Sequence, residues 1–207
     1  MASQEGSSDR VVPERVQDFE ASYAATPPWD IGRPQRAFER LAITGELTGT
    51  VLDAGCGTGE HALCAAAHGH PALGVDLAPT AIELARQKAA QRSSDARFLV
   101  FDALRLSDLG EQFDTVLDCG LFHVFDDDDR ARFVESLASV LPAGGRYHML
   151  CFSDRQPGDW GPRRVTQDEI RTSFAEGWLV ASIEPSVIEI NIDPAGAQAW
   201  HVVAIRR

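Results

Sequence analysis

The chain has 207 residues, 44% of them hydrophobic, and a formal net charge of −12. That size and apolar content predict one domain with its own core. The charge repels the phosphates of DNA or RNA and favours a small-molecule partner.

Residues 1–10 have neither the basic start nor the apolar stretch of a secretory signal, and no apolar run reaches the roughly 18 residues of a membrane helix. These features predict a frayed tail, a cytoplasmic location and no membrane partner. Residues 11–25 have amphipathic character and predict a helix lying against the fold. Residues 26–35, TPPWDIGRPQ, hold three prolines and a glycine, which stop a helix, around the large apolar Trp29 and Ile31. Two readings of Trp29 stand: a plug in the core, or a lid over a ligand. Residues 36–47 predict a second helix, entered after Pro34.

From residue 50 the pattern alternates strand and helix. Strands are expected at 51–54, 72–77, 96–103, 113–120 and 145–154, and helices at 61–69, 79–92 and 127–141. Such alternation predicts a parallel sheet with right-handed crossovers and helices on both faces. The run Asp126 to Asp129 reads as the acidic start of a helix rather than a metal site, because four consecutive carboxylates point in different directions. Residues 166–177 predict a helix with Thr166 as N-cap and Glu169 three positions on. The runs 178–190 and 199–207 predict an antiparallel hairpin at one sheet edge, joined by a short connection containing Pro194 and Gly196. Four cysteines (Cys56, Cys64, Cys119, Cys151) form no C-x-x-C pair, which predicts free thiols, no zinc and no disulfides.

The stretch VLDAGCGTGE, 51–60, carries the clearest chemical signal. A buried strand enters a turn with Gly55, Gly57 and Gly59, and then a helix whose N-terminal amides suit a negative or strongly polar ligand. A dinucleotide fingerprint spaces its glycines G-x-G-x-x-G. Here the third glycine comes one place early, and Glu60 would repel a diphosphate. A ligand with a cationic centre and no phosphate avoids that penalty.

DAGCGTGE after a strand, an acidic residue ending the second strand and FDTVLD on the fourth together resemble the class I S-adenosylmethionine-dependent methyltransferases. PPWDIGRP is similar to a segment preceding the cofactor strand in thiopurine, thiol and halide methyltransferases. The resemblance implies a Rossmann-like, mostly parallel seven-stranded sheet with an antiparallel C-terminal edge. It divides residues 11–207 into N-terminal helices and a lid (11–48) and a cofactor-binding core (50–207), with S-adenosylmethionine as cofactor and a small molecule as methyl acceptor. Methyl transfer to an O, S or N nucleophile of an apolar or aromatic molecule is the expected activity. An NAD-linked oxidoreductase and a non-catalytic S-adenosylmethionine-binding protein are the alternatives.

The resemblance assigns Asp53, Gly55, Cys56 and Gly57 to the amino-acid end of the cofactor. Asp76, 21 positions after Gly55, is placed to accept the ribose hydroxyls; its other reading is a helix cap before Pro79. Asp102 is assigned to the adenine amine, with Leu77 and Ala103 around the ring, or else to a solvated turn. Cys119, Gly120 or Asp118 is expected at the transfer site, where ligands collect at the carboxyl ends of strands, although Asp118 could instead satisfy backbone donors. His123 is the candidate general base, needed when the acceptor must lose a proton, or otherwise a structural ring. Trp29 also counts among the cofactor contacts. Phe122, Phe125, Arg155 and Trp160 are the expected acceptor pocket, with an arginine of the 151–165 loop reading an acidic acceptor.

Overall fold

A computed structural model describes residues 19–207. Among them, seven strands form one sheet: β1 (Val51–Ala54), β2 (Ala72–Asp76), β3 (Arg97–Val100), β4 (Thr115–Cys119), β5 (Arg146–Phe152), β6 (Trp178–Ile190) and β7 (Asp193–Arg206). Their order is β3-β2-β1-β4-β5-β7-β6. The first five run parallel, whereas β7 pairs antiparallel with both β5 and β6. The predicted Rossmann-like sheet with an antiparallel edge is therefore observed.

Helices α1 (Arg36–Thr44), α2 (Glu60–Ala67), α3 (Pro79–Gln91), α4 (Asp127–Val140) and α5 (Gln167–Ser173) cover the faces. Successive strand residues point to opposite sides. Leu52, Val116 and Met149 join one core with Phe133 and Leu137 of α4 and Ile170 of α5. Their neighbours Val51, Leu117 and Leu150 join a second core with Phe38 of α1, Ala62 of α2 and Ile82 and Ala85 of α3. Both faces are dry, which is why the central strands read as apolar runs without alternation.

The helix ends follow their local chemistry. Pro79 occupies the first turn of α3. The Asp126 carboxylate caps α4 by accepting from the Asp129 N–H at 2.8 Å, and Asp127 pairs with Arg163, so the acidic run starts a helix as expected. Thr166 and Glu169 make the reciprocal capping box of α5.

Several boundaries differ from the sequence expectation. Residues 96–103 contain only a four-residue strand, because the Asp102 side chain accepts from the Leu104 N–H and turns the chain into a 3-10 segment, Ala103–Leu109. Pro194 and Gly196 lie inside β7 rather than in a connection, so the hairpin turns at residues 191–192. A register shift between Ile188 and Ile190 accommodates them. Gly196 adopts φ +68°, and a Cβ there would lie 2.4 Å from Val187. Of the expected 11–25 helix, residues 19–22 are helical and residues 11–18 lie outside the described residues, as does the expected tail at 1–10.

Candidate active site

The carboxyl ends of β1, β2, β3 and β4 open into a cavity of about 450 Å³. Gly55, Cys56 and Gly57 line it from the turn after β1, Asp76 and Leu77 from the end of β2, Asp102 and Ala103 beyond β3, and Cys119 and Gly120 at β4. Parallel strands bring these positions together because every strand ends on the same side.

The glycine turn has left-handed backbone at all three glycines. Their reasons differ. A Cβ on Gly57 would meet the Tyr23 hydroxyl at 2.9 Å, beside the cavity, whereas one on Gly59 would lie 2.6 Å from the Phe98 ring and 2.9 Å from Ala85. Gly59 thus serves helix–sheet packing and not ligand approach. Cys56 is buried, its amide donating to Val75 O and its thiol pushed up by burial.

Asp76 organises the turn. Its Oδ2 accepts from the Gly57 N–H and its Oδ1 from the Ala78 N–H, both at 2.9 Å. Burial raises its pKa and these backbone donors counter that rise. The side chain stabilises the loop and still faces the cavity, so it does more than cap a helix. Asp102 accepts from Leu104 N–H through Oδ1 at 2.9 Å and also lines the cavity.

Several expected positions are relocated. Asp53 lies behind the turn, fully buried: Oδ2 accepts from the Ala62 N–H of α2, and Oδ1 sits 3.6 Å from His61 Nδ1 without a hydrogen bond. It supports the helix start, while His61 reaches the cavity wall. Glu60 is buried between Lys88 at 2.8 Å and a bidentate Arg92. Burial alone would raise its pKa, but the two cations hold it below the usual carboxylate range. Its charge is spent on α3, so the repulsion of a diphosphate expected from it is not a property of this site.

Of the residues expected in the acceptor pocket, Phe125 and Trp160 line the cavity, and Trp29 stands at its rim, 44% exposed, with Nε1 donating to the Tyr23 hydroxyl at 3.4 Å. Phe122 does not line it. Its ring is fully buried, stacked on Phe174 and under the Arg130 guanidinium at 4.5 Å, because the 3-10 segment Phe122–Val124 points successive side chains in different directions. Arg155 lies over the Trp200 ring at 5.3 Å, away from the cavity. Arg163 pairs with Asp127 and Glu169, and Arg164 donates to the carbonyls of Trp160 and Pro162 at 2.7 and 2.6 Å. Arg163 and Arg164 brace the 151–165 loop, and none of the three arginines lines the cavity.

Asp118 turns away from the cavity. It accepts from Leu121 and Phe122 N–H and, at 2.6 Å, from the Tyr147 hydroxyl, while burial pushes it up to about 7 against those donors. His123 is buried on the cavity wall, with Nδ1 accepting from the Phe152 N–H at 2.9 Å. Burial, then Arg130 and Arg164, push it down to about 3. A neutral ring with its Nδ1 lone pair already occupied has its proton on Nε2, and this removes His123 as a general base.

Sequence reading missed Tyr23, Leu121, Phe152 and the Ile188/Ile190 pair, all on the wall. The segment around Tyr23 is held over the site by Glu20, whose carboxylate accepts from the Thr80 N–H at 3.2 Å and from the Thr80 hydroxyl at the start of α3. The PPWDIGRP loop is docked on the β6–β7 hairpin: Asn191 N–H donates to Pro28 O at 2.8 Å, and Arg33 forks onto Glu189 at 2.8 and 3.0 Å.

Among the described residues, no group of three or more His, Cys, Asp or Glu is placed to hold a metal ion. The donor set fits an adenosyl amino acid: carboxylates at two successive strand ends for hydroxyls and an amine, apolar Leu77 and Ala103 between them, and the glycine turn on the cavity wall beside the Tyr23 hydroxyl.

A methyltransferase-domain family model matches residues 51–145. Over 202 residues the chain is 37% identical to the 2-heptyl-1-hydroxyquinolin-4(1H)-one methyltransferase of Mycobacteroides abscessus, covering 90% of this chain and 89% of that one. It is 28% identical over 149 residues to probable thiol methyltransferase 2 of Arabidopsis thaliana, covering 70% and 66%. A solved structure described under the conversion of a disulfide bond into a thioacetal group during echinomycin biosynthesis matches with a TM-score of 0.84 and 38% identity, over 92% of each chain. Magnesium protoporphyrin IX methyltransferase from Synechocystis PCC 6803 with bound S-adenosylhomocysteine shares the fold at a TM-score of 0.66 and 20% identity, covering 83% and 80%. The chain therefore belongs to the class I S-adenosylmethionine-dependent methyltransferases, and S-adenosylmethionine is its cofactor.

Proposed function

We propose that the chain methylates an O, S or N nucleophile of a small aromatic or apolar molecule, bound between the end of β4 and the 19–33 segment. One observation carries this reading: the acceptor side of the cavity is walled by Trp29, Phe125, Phe152, Trp160, Ile188 and Ile190. Such a wall desolvates a flat apolar body and offers few polar groups to hold a charged or sugar-like one. The relative named for a heptyl hydroxyquinolone supports an aromatic hydroxyl compound as acceptor.

S-adenosylmethionine supplies an electrophilic methyl group on a sulfonium. The chain's own task is to hold, align and dry the site. In this reading Asp76 accepts the ribose hydroxyls and Asp102 the adenine amine, with Leu77 and Ala103 against the ring. Gly55, Cys56 and Gly57 present backbone to the amino-acid end, and Asp53 acts through α2 and His61. Tyr23 and Trp29 form a lid that excludes water. The four free thiols suit a reducing cytoplasm.

The test is transfer of labelled methyl to a panel of hydroxyquinolones, phenols, thiols and amines by the purified protein. Transfer to the apolar aromatic members is expected. If S-adenosylhomocysteine raises the unfolding midpoint while every panel member stays unlabelled, the acceptor reading is overturned.

A further inference from the structure

We propose that His123 is a fixed hydrogen-bond donor in the acceptor site, its Nε2–H holding the nucleophile of an acceptor that arrives already ionised. The chain would then select acceptors acidic enough to be anions at the working pH. This rests on the acceptor reading above and deepens it.

The tautomer is forced by the backbone. An amide N–H can only donate, so the 2.9 Å contact from Phe152 N makes Nδ1 the acceptor and leaves the ring proton on Nε2. The Nε2 edge faces Gly120, where a Cβ would lie 3.3 Å away, and it makes no hydrogen bond with the described residues. Both residues line the cavity. The Phe152 ring stands edge-on to the imidazole at 5.0 Å and fixes its plane.

The charged and titratable groups around the ring agree. Arg130 of α4, with Nε and Nη2 unpartnered and buried, and Arg164 of the loop after β5 both disfavour a second proton on the imidazole. The same positive field favours an anion next to Nε2. The Cys119 thiol at the end of β4 is pushed up by burial and by Asp118 and Asp53, so it is neutral. Asp118 has both oxygens engaged by Leu121, Phe122 and Tyr147. Asp76, on the cofactor side, has both oxygens engaged by backbone amides. Among these groups none is placed to take a proton from an acceptor.

In this proposal the acceptor's proton is lost to water before binding. The oxygen or sulfur anion forms the new bond to the methyl carbon as the carbon–sulfur bond breaks, the electron pair stays on sulfur, and the two opposite charges cancel. In an apolar cavity a bare anion is poorly solvated, and one charge-assisted donor offsets much of that penalty while aiming a lone pair.

The test uses 4-nitrophenol, whose phenolate is coloured, titrated into protein saturated with S-adenosylhomocysteine from about pH 5 to about pH 9. The expected result is that bound nitrophenol ionises at lower pH than free nitrophenol. His123→Phe should weaken phenolate binding about ten- to hundredfold, and His123→Gln, which keeps a donor, should recover most of it. Affinity for S-adenosylhomocysteine reports whether each variant is folded. Nitrogen NMR of His123 should show a neutral ring protonated on Nε2 across the range. A ring protonated on Nδ1, a titration near the ordinary histidine value, or nitrophenol bound as the neutral phenol overturns the donor role alone. Absence of nitrophenol binding in either form overturns the aromatic-acceptor reading together with this inference.

Discussion

The two halves of the cavity are built by different means. The cofactor half comes from strand ends and the turns directly after them, and its main carboxylates are held by backbone amides within a few residues or one strand away, as Asp76 is by Ala78 and Gly57. The acceptor half is assembled from the 19–33 segment, the 3-10 turn after β4, the loop after β5 and the distant hairpin, joined by contacts such as Arg33–Glu189 and Phe152–His123. The first half is a property of the sheet and changes only with the fold. The second is a set of separately attached parts, and each part can vary without disturbing cofactor binding.

The largest test of this contrast is Gly59→Ala. Its left-handed backbone and the 2.6 Å approach to Phe98 predict a loss of about 3 kcal/mol in stability, read by urea unfolding, with cofactor binding lost in proportion to folding. Asp76→Ala should reduce S-adenosylhomocysteine affinity about a hundredfold in calorimetry. It should also lower the unfolding midpoint, since the Gly57 and Ala78 amides lose their partner. Affinity within a few-fold of wild type would remove Asp76 from the cofactor half.

The next effect belongs to the interior of the sheet, outside the cavity, and depends on pH. His148 on β5 is buried with both ring nitrogens unpartnered, stacked on His201 at 5.9 Å, and burial, then His201 and Arg146, push it down to about 3. Its folded value lies below the unfolded 6.5. Between those values the unfolded chain binds a proton that the native one does not, so stability falls as pH falls, by ~1.4 kcal/mol per pH unit. Asp118, raised to about 7, contributes in the opposite sense: its stabilisation is present at low pH and is lost as pH rises toward 7. Comparing wild type with His148→Phe cancels Asp118, and the difference in unfolding free energy should grow in favour of the variant from pH 6.5 downward. A pH-independent difference would refute the neutral buried pair.

The smallest expected effect is that of Trp29→Ala. At 44% exposure its truncation should change stability by less than about 1 kcal/mol while raising the acceptor KM several-fold and leaving S-adenosylhomocysteine affinity nearly unchanged. Equal losses for cofactor and acceptor would mean that the lid serves both halves.

What could be read from the sequence follows the same division. Strand–helix alternation, the glycine turn, Asp76 and the α4 and α5 caps were legible because each depends on residues within one turn or one crossover. Even there, the reason for Gly59 was hidden, since Phe98 approaches it from β3. The placement of Phe122 and Arg155 and the tautomer of His123 were not legible, for one physical cause. Side-chain direction in a 3-10 turn or an irregular loop has no period to extrapolate, and the partners that decide it, Phe174, Trp200 and the Phe152 amide, are 29 to 52 positions away.

By itself, then, the sequence determined the parallel sheet, its antiparallel edge and the glycine turn and strand-end carboxylates that line the cavity, because hydrophobic period and turn chemistry are local. Only the tertiary structure decided that Glu60 is neutralised by Lys88 and Arg92, that Arg163 and Arg164 are engaged by nearby carboxylates and carbonyls, and that the Nδ1 lone pair of His123 is taken by the Phe152 amide. Those outcomes depend on which distant donor reaches a buried group first, and burial makes each such pairing exclusive.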